Sequence, residues 1–106
     1  AGIEGIGSSV AYAASKGGVA SLTLPSAREL ARHGVCVAAI APCLFGTPMV
    51  TGMPQEVQEA IVANIPFPHR FGKPEEYARM VLSIVENPMV NGSVIRLDAA
   101  LRMQPK

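Results

Sequence analysis

Apolar side chains recur every three to four residues at Val19, Leu22, Leu24, Ala27, Leu30 and Ala31, which is the spacing of one helical face. The pattern predicts a long helix that follows a loop at residues 1–9, where three glycines and two serines break any periodicity. Ser8 or Ser9 can cap its start. Gly34 supplies the stop at about His33, and the cations Arg32 and His33 suit the negative end of the helix dipole. Pro25 lacks an amide hydrogen and crowds the preceding turn, so a kink is expected near residues 21–24. Residues 35–41 are unbroken apolar sequence between Gly34 and Pro42, the mark of a parallel strand covered on both faces. Prolines at 48, 54, 66 and 68 then leave room for one short amphipathic segment, in which Val57, Ala60 and Ile61 share a face, and the stretch reads as a mobile lid. Lys73-Pro74-Glu75-Glu76 opens a last helix, with proline in the first turn and acids at its positive end. Its stripe of Tyr77, Val81, Ile84 and Val85 is expected in the core, and Asn87-Pro88 closes it. Asn91-Gly92 turns the chain into residues 93–97, a short apolar strand expected beside the first.

A helix followed by a doubly covered strand is half of a βαβ unit. Two such strands cannot cover themselves, so the pattern predicts part of a doubly wound α/β domain with a parallel sheet. In open sheets of this kind ligands lie beyond the carboxyl ends of the strands, which directs attention to the turn at residues 42–47. Composition narrows the function classes. With 49% hydrophobic and 16% charged residues among 106, the chain is expected to fold around a core. A net charge of +1 without a basic block offers no electrostatic footprint for nucleic acid or an anionic membrane, so neither partner is expected. No apolar run is long enough to span a bilayer and no basic-then-apolar leader is seen, which predicts a soluble protein. Cys36 and Cys43 flank the expected strand, which would hold them about 20 Å apart, so both are expected as free thiols in a reducing compartment.

The chemistry-bearing stretch is Tyr12-Ala13-Ala14-Ser15-Lys16-Gly17-Gly18. Residues at i and i+4 share a helical face, so a phenol and an ammonium can converge on one ligand. The surrounding alanines, serine and glycines weaken the helix by about 1 kcal/mol per Gly relative to Ala, but they allow a flat ligand or another backbone to come close. A neighbouring ammonium favours the phenolate form, which suits a phenol to exchanging a proton with a carbonyl oxygen. Taken alone, the pair reads as an ordinary surface contact; its context carries the functional reading. His33 reads as a dipole partner and Tyr77 as core. Met49, Met53 and Phe67 could line an acyl pocket or simply pack, and His69 and Arg70 could meet an anion but read better as a solvated pair.

Three separated motifs occur in order: Tyr12-Ala13-Ala14-Ser15-Lys16-Gly17-Gly18, then Ala41-Pro42-Cys43-Leu44-Phe45-Gly46-Thr47-Pro48, then Asn91-Gly92-Ser93-Val94-Ile95-Arg96-Leu97-Asp98. Together they resemble the C-terminal half of the short-chain dehydrogenase/reductase family. The run from Phe67-Pro68-His69-Arg70 through Glu76-Tyr77-Ala78, and the ending Leu97-Asp98-Ala99-Ala100-Leu101-Arg102-Met103-Gln104-Pro105, look like its type 2 3-hydroxyacyl-CoA dehydrogenase branch. The resemblance implies a Rossmann-like α/β domain of which residues 1–106 are the C-terminal portion, the dinucleotide-binding half lying upstream. It implies NAD as cofactor, no metal, and interconversion of a secondary alcohol and a ketone, foremost 3-hydroxyacyl-CoA and 3-ketoacyl-CoA. By the same resemblance Tyr12 moves the proton and Lys16 supports it and holds the ribose. Pro42, Phe45 and Thr47 pass over the nicotinamide, Phe45 through its backbone and Thr47 through its hydroxyl. A hydrophobic small-molecule substrate, a homotetramer, and the cytoplasm or a mitochondrial matrix complete what is implied.

Two positions depart from the family pattern: Cys43 stands where the family usually has Gly, and Asp98-Ala99-Ala100 stands for Asp-Gly-Gly. The glycine-rich pyrophosphate turn and the substrate-binding serine are not found here and are expected upstream of Ala1; Ser8 and Ser9 are too close to Tyr12 for that role. An opening on Ala1 within a loop-like segment reads as a piece of a longer chain. The alternative of another class is a non-catalytic segment or pseudoenzyme that serves as an oligomer interface.

Overall fold

The computed structural model describes residues 10–102, so the loop expected at 1–9, the candidate caps Ser8 and Ser9, and residues 103–106 lie outside the described residues. Two compact units are present, one gathering residues up to Ile40 with Asn87–Ile95, the other Ala41–Glu86 with Arg96–Leu101.

In the first unit the long helix is α1, Val10–Leu30, followed by a 3-10 turn at Ala31–His33. Gly34 ends it as expected: it takes a left-handed φ of 70°, its amide donates to Ala31 O at 3.0 Å, and the Val35 amide returns to Leu30 O at 3.3 Å. The helix passes through Pro25 as one continuous element. Its buried side differs from the periodicity. Thr23 (1% exposed) and Ala27 (3%) are buried, while Val19, Leu22, Leu24 and Leu30 are exposed. A Cβ added at Gly92 would lie 2.9 Å from Leu24 Cδ1 and 3.5 Å from Ala27 Cβ, so the turn at Gly92, itself at φ +76°, packs closely against Leu24 and Ala27 of the helix. The Thr23 hydroxyl donates to Val19 O at 3.0 Å, so its burial leaves no polar group unpaired.

The first strand, β1, is Ala39–Pro42 rather than residues 35–41. The segment before it is held by a turn instead of a ladder: the Val37 amide donates to Asn91 Oδ1 at 2.9 Å and Val37 O accepts from the Gly92 amide at 2.7 Å. Pairing begins where the partner straightens into β2, Val94–Leu97. Ala39 N donates to Ser93 O at 3.0 Å and Cys43 N to Leu97 O at 3.1 Å, so both positions advance together and the strands are parallel. Both strands are mostly half-buried, in keeping with the expectation that two such strands cannot cover themselves. Neither Cys36 nor Cys43 is in a disulfide.

The second unit carries three helices: α2 at Pro48–Thr51, α3 at Gln55–Val62 and α4 at Pro74–Glu86. Val50 and Ile65 are its buried apolar side chains. Gln58 Nε2 donates to Thr51 O at 3.1 Å and to Met53 O at 2.8 Å, tying α3 to the end of α2. The expected stripe of α4 holds at Ile84, which is half-buried together with Glu76 and Met80 at i+8, i and i+4, whereas Tyr77, Val81 and Val85 are exposed, Val85 by 75%.

After β2 the chain makes a tight turn in which Ala99 and Ala100 take φ of 51° and 66°. Asp98 holds it, its Oδ1 accepting from the Ala100 amide at 3.1 Å and its Oδ2 from Arg96 Nε at 2.8 Å. Left-handed backbone costs an L-residue about 1–2 kcal/mol, and glycine returns part of that gain through its freer unfolded chain. Ala99→Gly and Ala100→Gly should therefore each stabilise the native protein by about 0.5–1 kcal/mol in denaturant unfolding. An unchanged or lowered midpoint would mean that the turn is not held in this conformation.

Candidate active site

Tyr12 lies in the first turn of α1 and is 54% exposed; Lys16 follows one turn later on the same side. The Lys16 ammonium nitrogen sits 5.4 Å from the centroid of the Tyr12 ring. Ala13 and Gly17 face inward beside them, and the Ser15 hydroxyl turns back to Tyr12 O at 2.8 Å. A phenol and an ammonium thus project from one open face, free of any side chain bulkier than serine between them. Such a pair can present a proton and a positive charge to one ligand.

The turn after β1 is built differently, from backbone. Gly72 N donates to Leu44 O at 3.0 Å and Gly46 N donates to Gly72 O at 2.7 Å, which makes an isolated parallel bridge centred on Phe45 and Gly72. In such a bridge the amide and carbonyl of Phe45 point away from Gly72. The carbonyl accepts from Thr47 N at 2.7 Å, and the Phe45 amide has no acceptor among the described residues. Thr47 starts α2 without using its hydroxyl as a cap. The Phe45 ring stands edge-on to Tyr77, centroids 5.7 Å apart at 85°. A Cβ added at Gly72 would come within 2.5 Å of Phe45 Cε2. Gly72→Ala should thus cost about 1–3 kcal/mol by overpacking a ring that Tyr77 already fixes; unfolding at the wild-type midpoint would show that the ring moves aside freely.

Beside this turn is a cavity of about 140 Å³ whose lining includes Cys43, Phe45, Ile65, Pro68 and Asp98. Met49 and Phe67, read as lining an acyl pocket or simply packing, are exposed, and neither they nor Met53 line this cavity. His69 Nδ1 lies 2.7 Å from Ile65 O. His69 and Arg70 are both exposed, as expected of a solvated pair, but Arg70 is engaged by Glu76. Its Nη1 and Nη2 grip Glu76 Oε1 and Oε2 at 2.8 and 2.9 Å, and Nη1 also donates to Phe71 O at 2.9 Å. Glu76 Oε1 further accepts from the Lys73 amide at 2.7 Å. A recognisable signal was present: Lys73-Pro74-Glu75-Glu76 places a glutamate at the third helical position, from which its side chain reaches back to the amide that precedes the helix.

The Arg70 guanidinium and then the Lys73 amide hold the Glu76 carboxyl down to about 2. A carboxyl depressed in the folded state supports folding above its ordinary value and loses that support as pH falls through the depressed one. Acid should therefore lower the melting temperature between about pH 4.5 and 2 more steeply in the wild type than in Glu76→Gln. Parallel curves for the two proteins over that window would show that the pair is not formed.

Residues 1–101 match the family model described as enoyl-(acyl carrier protein) reductase. The chain is 53% identical over 105 residues to human 3-hydroxyacyl-CoA dehydrogenase type-2, covering 99% of this chain and 40% of that protein. It is 41% identical to 3-oxoacyl-[acyl-carrier-protein] reductase FabG of Thermotoga maritima, over 94% of this chain and 41% of the relative. The crystal structure of 3-hydroxyacyl-CoA dehydrogenase type-2 from Mycobacterium avium superposes with a TM-score of 0.92 at 43% identity, over 99% of this chain and 41% of that one. The chain thus spans about 40% of the length of the curated relatives it matches. Its ordered motifs, its parallel strand pair and these matches lead to one conclusion: the chain belongs to the short-chain dehydrogenase/reductase family.

Proposed function

We propose that this chain is the C-terminal portion of a single NAD-dependent oxidoreductase domain that interconverts a secondary alcohol and a ketone, with 3-hydroxyacyl-CoA and 3-ketoacyl-CoA as the foremost pair. The observation that carries the reading is the Tyr12 and Lys16 pair on one open face, the ammonium 5.4 Å from the ring centroid. Bound NAD would supply the hydride acceptor for the alcohol carbon. Tyr12 gives its phenolic proton to the carbonyl oxygen in reduction and takes it back in oxidation. Lys16 stabilises the phenolate left behind and offers N–H donors to the ribose hydroxyls.

The turn at residues 42–47 fits the nicotinamide end of such a cofactor. A carboxamide needs a donor for its oxygen and a partner for its amide, and the Phe45 N–H and Thr47 hydroxyl are the uncommitted groups there. Pro42 has no amide of its own to satisfy and ends β1 so that this backbone is presented. Cys43, at the position where the family usually has Gly, donates its amide to Leu97 O at 3.1 Å and so keeps the turn attached to β2.

The test is a spectrophotometric assay of the native protein with NADH and acetoacetyl-CoA, then longer 3-ketoacyl-CoA thioesters. NADH oxidation that rises with acyl-CoA concentration is expected. Turnover of other ketones alone would replace the substrate class, and NADH binding without any turnover would leave the interface role. A homo-oligomer, a tetramer by family resemblance, is expected, which sedimentation analysis would register as a mass four times that of the protomer. Among the described residues no helix is long and apolar enough to cross a membrane.

A further inference from the structure

The Arg70 and Glu76 pair is half-exposed, the side chains 42% and 32% accessible, so its worth to overall stability is small. Its geometry is more informative than its strength. Arg70 Nη1 donates to Phe71 O, which belongs to the same planar peptide unit as Gly72 N. Glu76 Oε1 accepts from Lys73 N, which belongs to the same planar unit as Gly72 O. Those two peptide units are the ones whose other ends bond to the cofactor turn, Gly72 N to Leu44 O and Gly46 N to Gly72 O. Glycine is the residue whose flanking peptides rotate most freely, so without restraint this bridge would be the loose point of the turn. The two-pronged grip of the guanidinium on the carboxylate restrains both units at once.

We propose that the Arg70 and Glu76 ion pair positions the cofactor turn: by fixing both peptide planes of Gly72 it holds the Phe45 amide in the direction needed to donate to the nicotinamide carboxamide oxygen. This rests on the reading of residues 42–47 as the nicotinamide contact. Arg70 and Glu76 also line the cavity beside the turn, and the role proposed for them is exercised through Gly72.

The test measures dissociation constants of the native protein, by calorimetry, for NAD and for thionicotinamide adenine dinucleotide, in which sulfur replaces the accepting oxygen. Wild type should prefer NAD by about three- to tenfold, the worth of one hydrogen bond. Glu76→Gln should lose most of that preference by weakening NAD and leaving the thio analogue nearly as before. Arg70→Lys, which keeps the charge but not the fork, should do the same and guards against a folding defect peculiar to one variant. A purely structural pair would change the melting temperature without changing the ratio. If wild type shows no preference, the nicotinamide reading of the turn fails and the proposal falls with it. If wild type discriminates and both variants discriminate equally well, the reading stands and the positioning role is overturned.

Discussion

Tyr12→Phe is expected to lower kcat by about 10²–10⁴-fold, the usual contribution of a positioned proton donor. The ring remains, so its face toward the Lys16 ammonium is retained and only the transferable proton is lost. Tyr12 is 54% exposed and in the first turn of its helix, so neither packing nor helix propensity should suffer. Cofactor affinity should change little. A fall in kcat with a fixed NADH dissociation constant assigns the loss to chemistry, because an interaction made only in the transition state lowers turnover without altering ground-state binding. Wild-type kcat in the variant would remove Tyr12 from the mechanism.

Lys16→Ala should damage both quantities. Losing a charged donor to the ribose should raise the cofactor dissociation constant by about 10- to 100-fold, as for other hydrogen bonds to charged groups. Losing the cation beside the phenol should lower kcat as well, because the phenolate formed on proton transfer then lacks its counter-charge. Alanine is the best helix former, so the backbone of α1 is not at issue. If kcat falls and the dissociation constant is unmoved, the ribose role must be dropped; if only affinity falls, Lys16 takes no part in the proton transfer. Measuring both constants on one preparation separates these outcomes, which activity alone would not.

Much of the fold could be read from local sequence because local physics sets it. Gly34 ends the first helix because only glycine takes φ of 70° without strain, and Pro74 with Glu75 and Glu76 marks the start of α4 because an absent amide and two acids suit a helix N-terminus. The parallel pairing of β1 with β2 followed from two apolar runs separated by helices. Tyr12 and Lys16 were legible for the same reason: a spacing of four on a helix brings two side chains together whatever else the chain does.

Contacts between distant segments decided the rest. Periodicity put Val19, Leu22 and Leu24 inside, but α1 is apolar on most sides, and its buried residues are Thr23 and Ala27, Ala27 lying beside Gly92. Strand β1 begins at Ala39 rather than residue 35 because the Asn91 side chain and Gly92 amide take up the hydrogen bonds of Val37. In α4 hydrophobicity favoured Tyr77, Val81, Ile84 and Val85 as the inner face, and of these only Ile84 is half-buried, on an edge shared with Glu76 and Met80. The bridge from Gly72 to the turn at Phe45 joins residues 27 positions apart, and no local preference announces it. The sequence by itself determined the elements, their order, the helix ends and the paired phenol and ammonium, all of which depend on neighbours within a turn or two. Tertiary structure alone decided which faces are buried, where the strand starts and which backbone amide is left open to a ligand, because each depends on what another segment brings within hydrogen-bond or van der Waals distance.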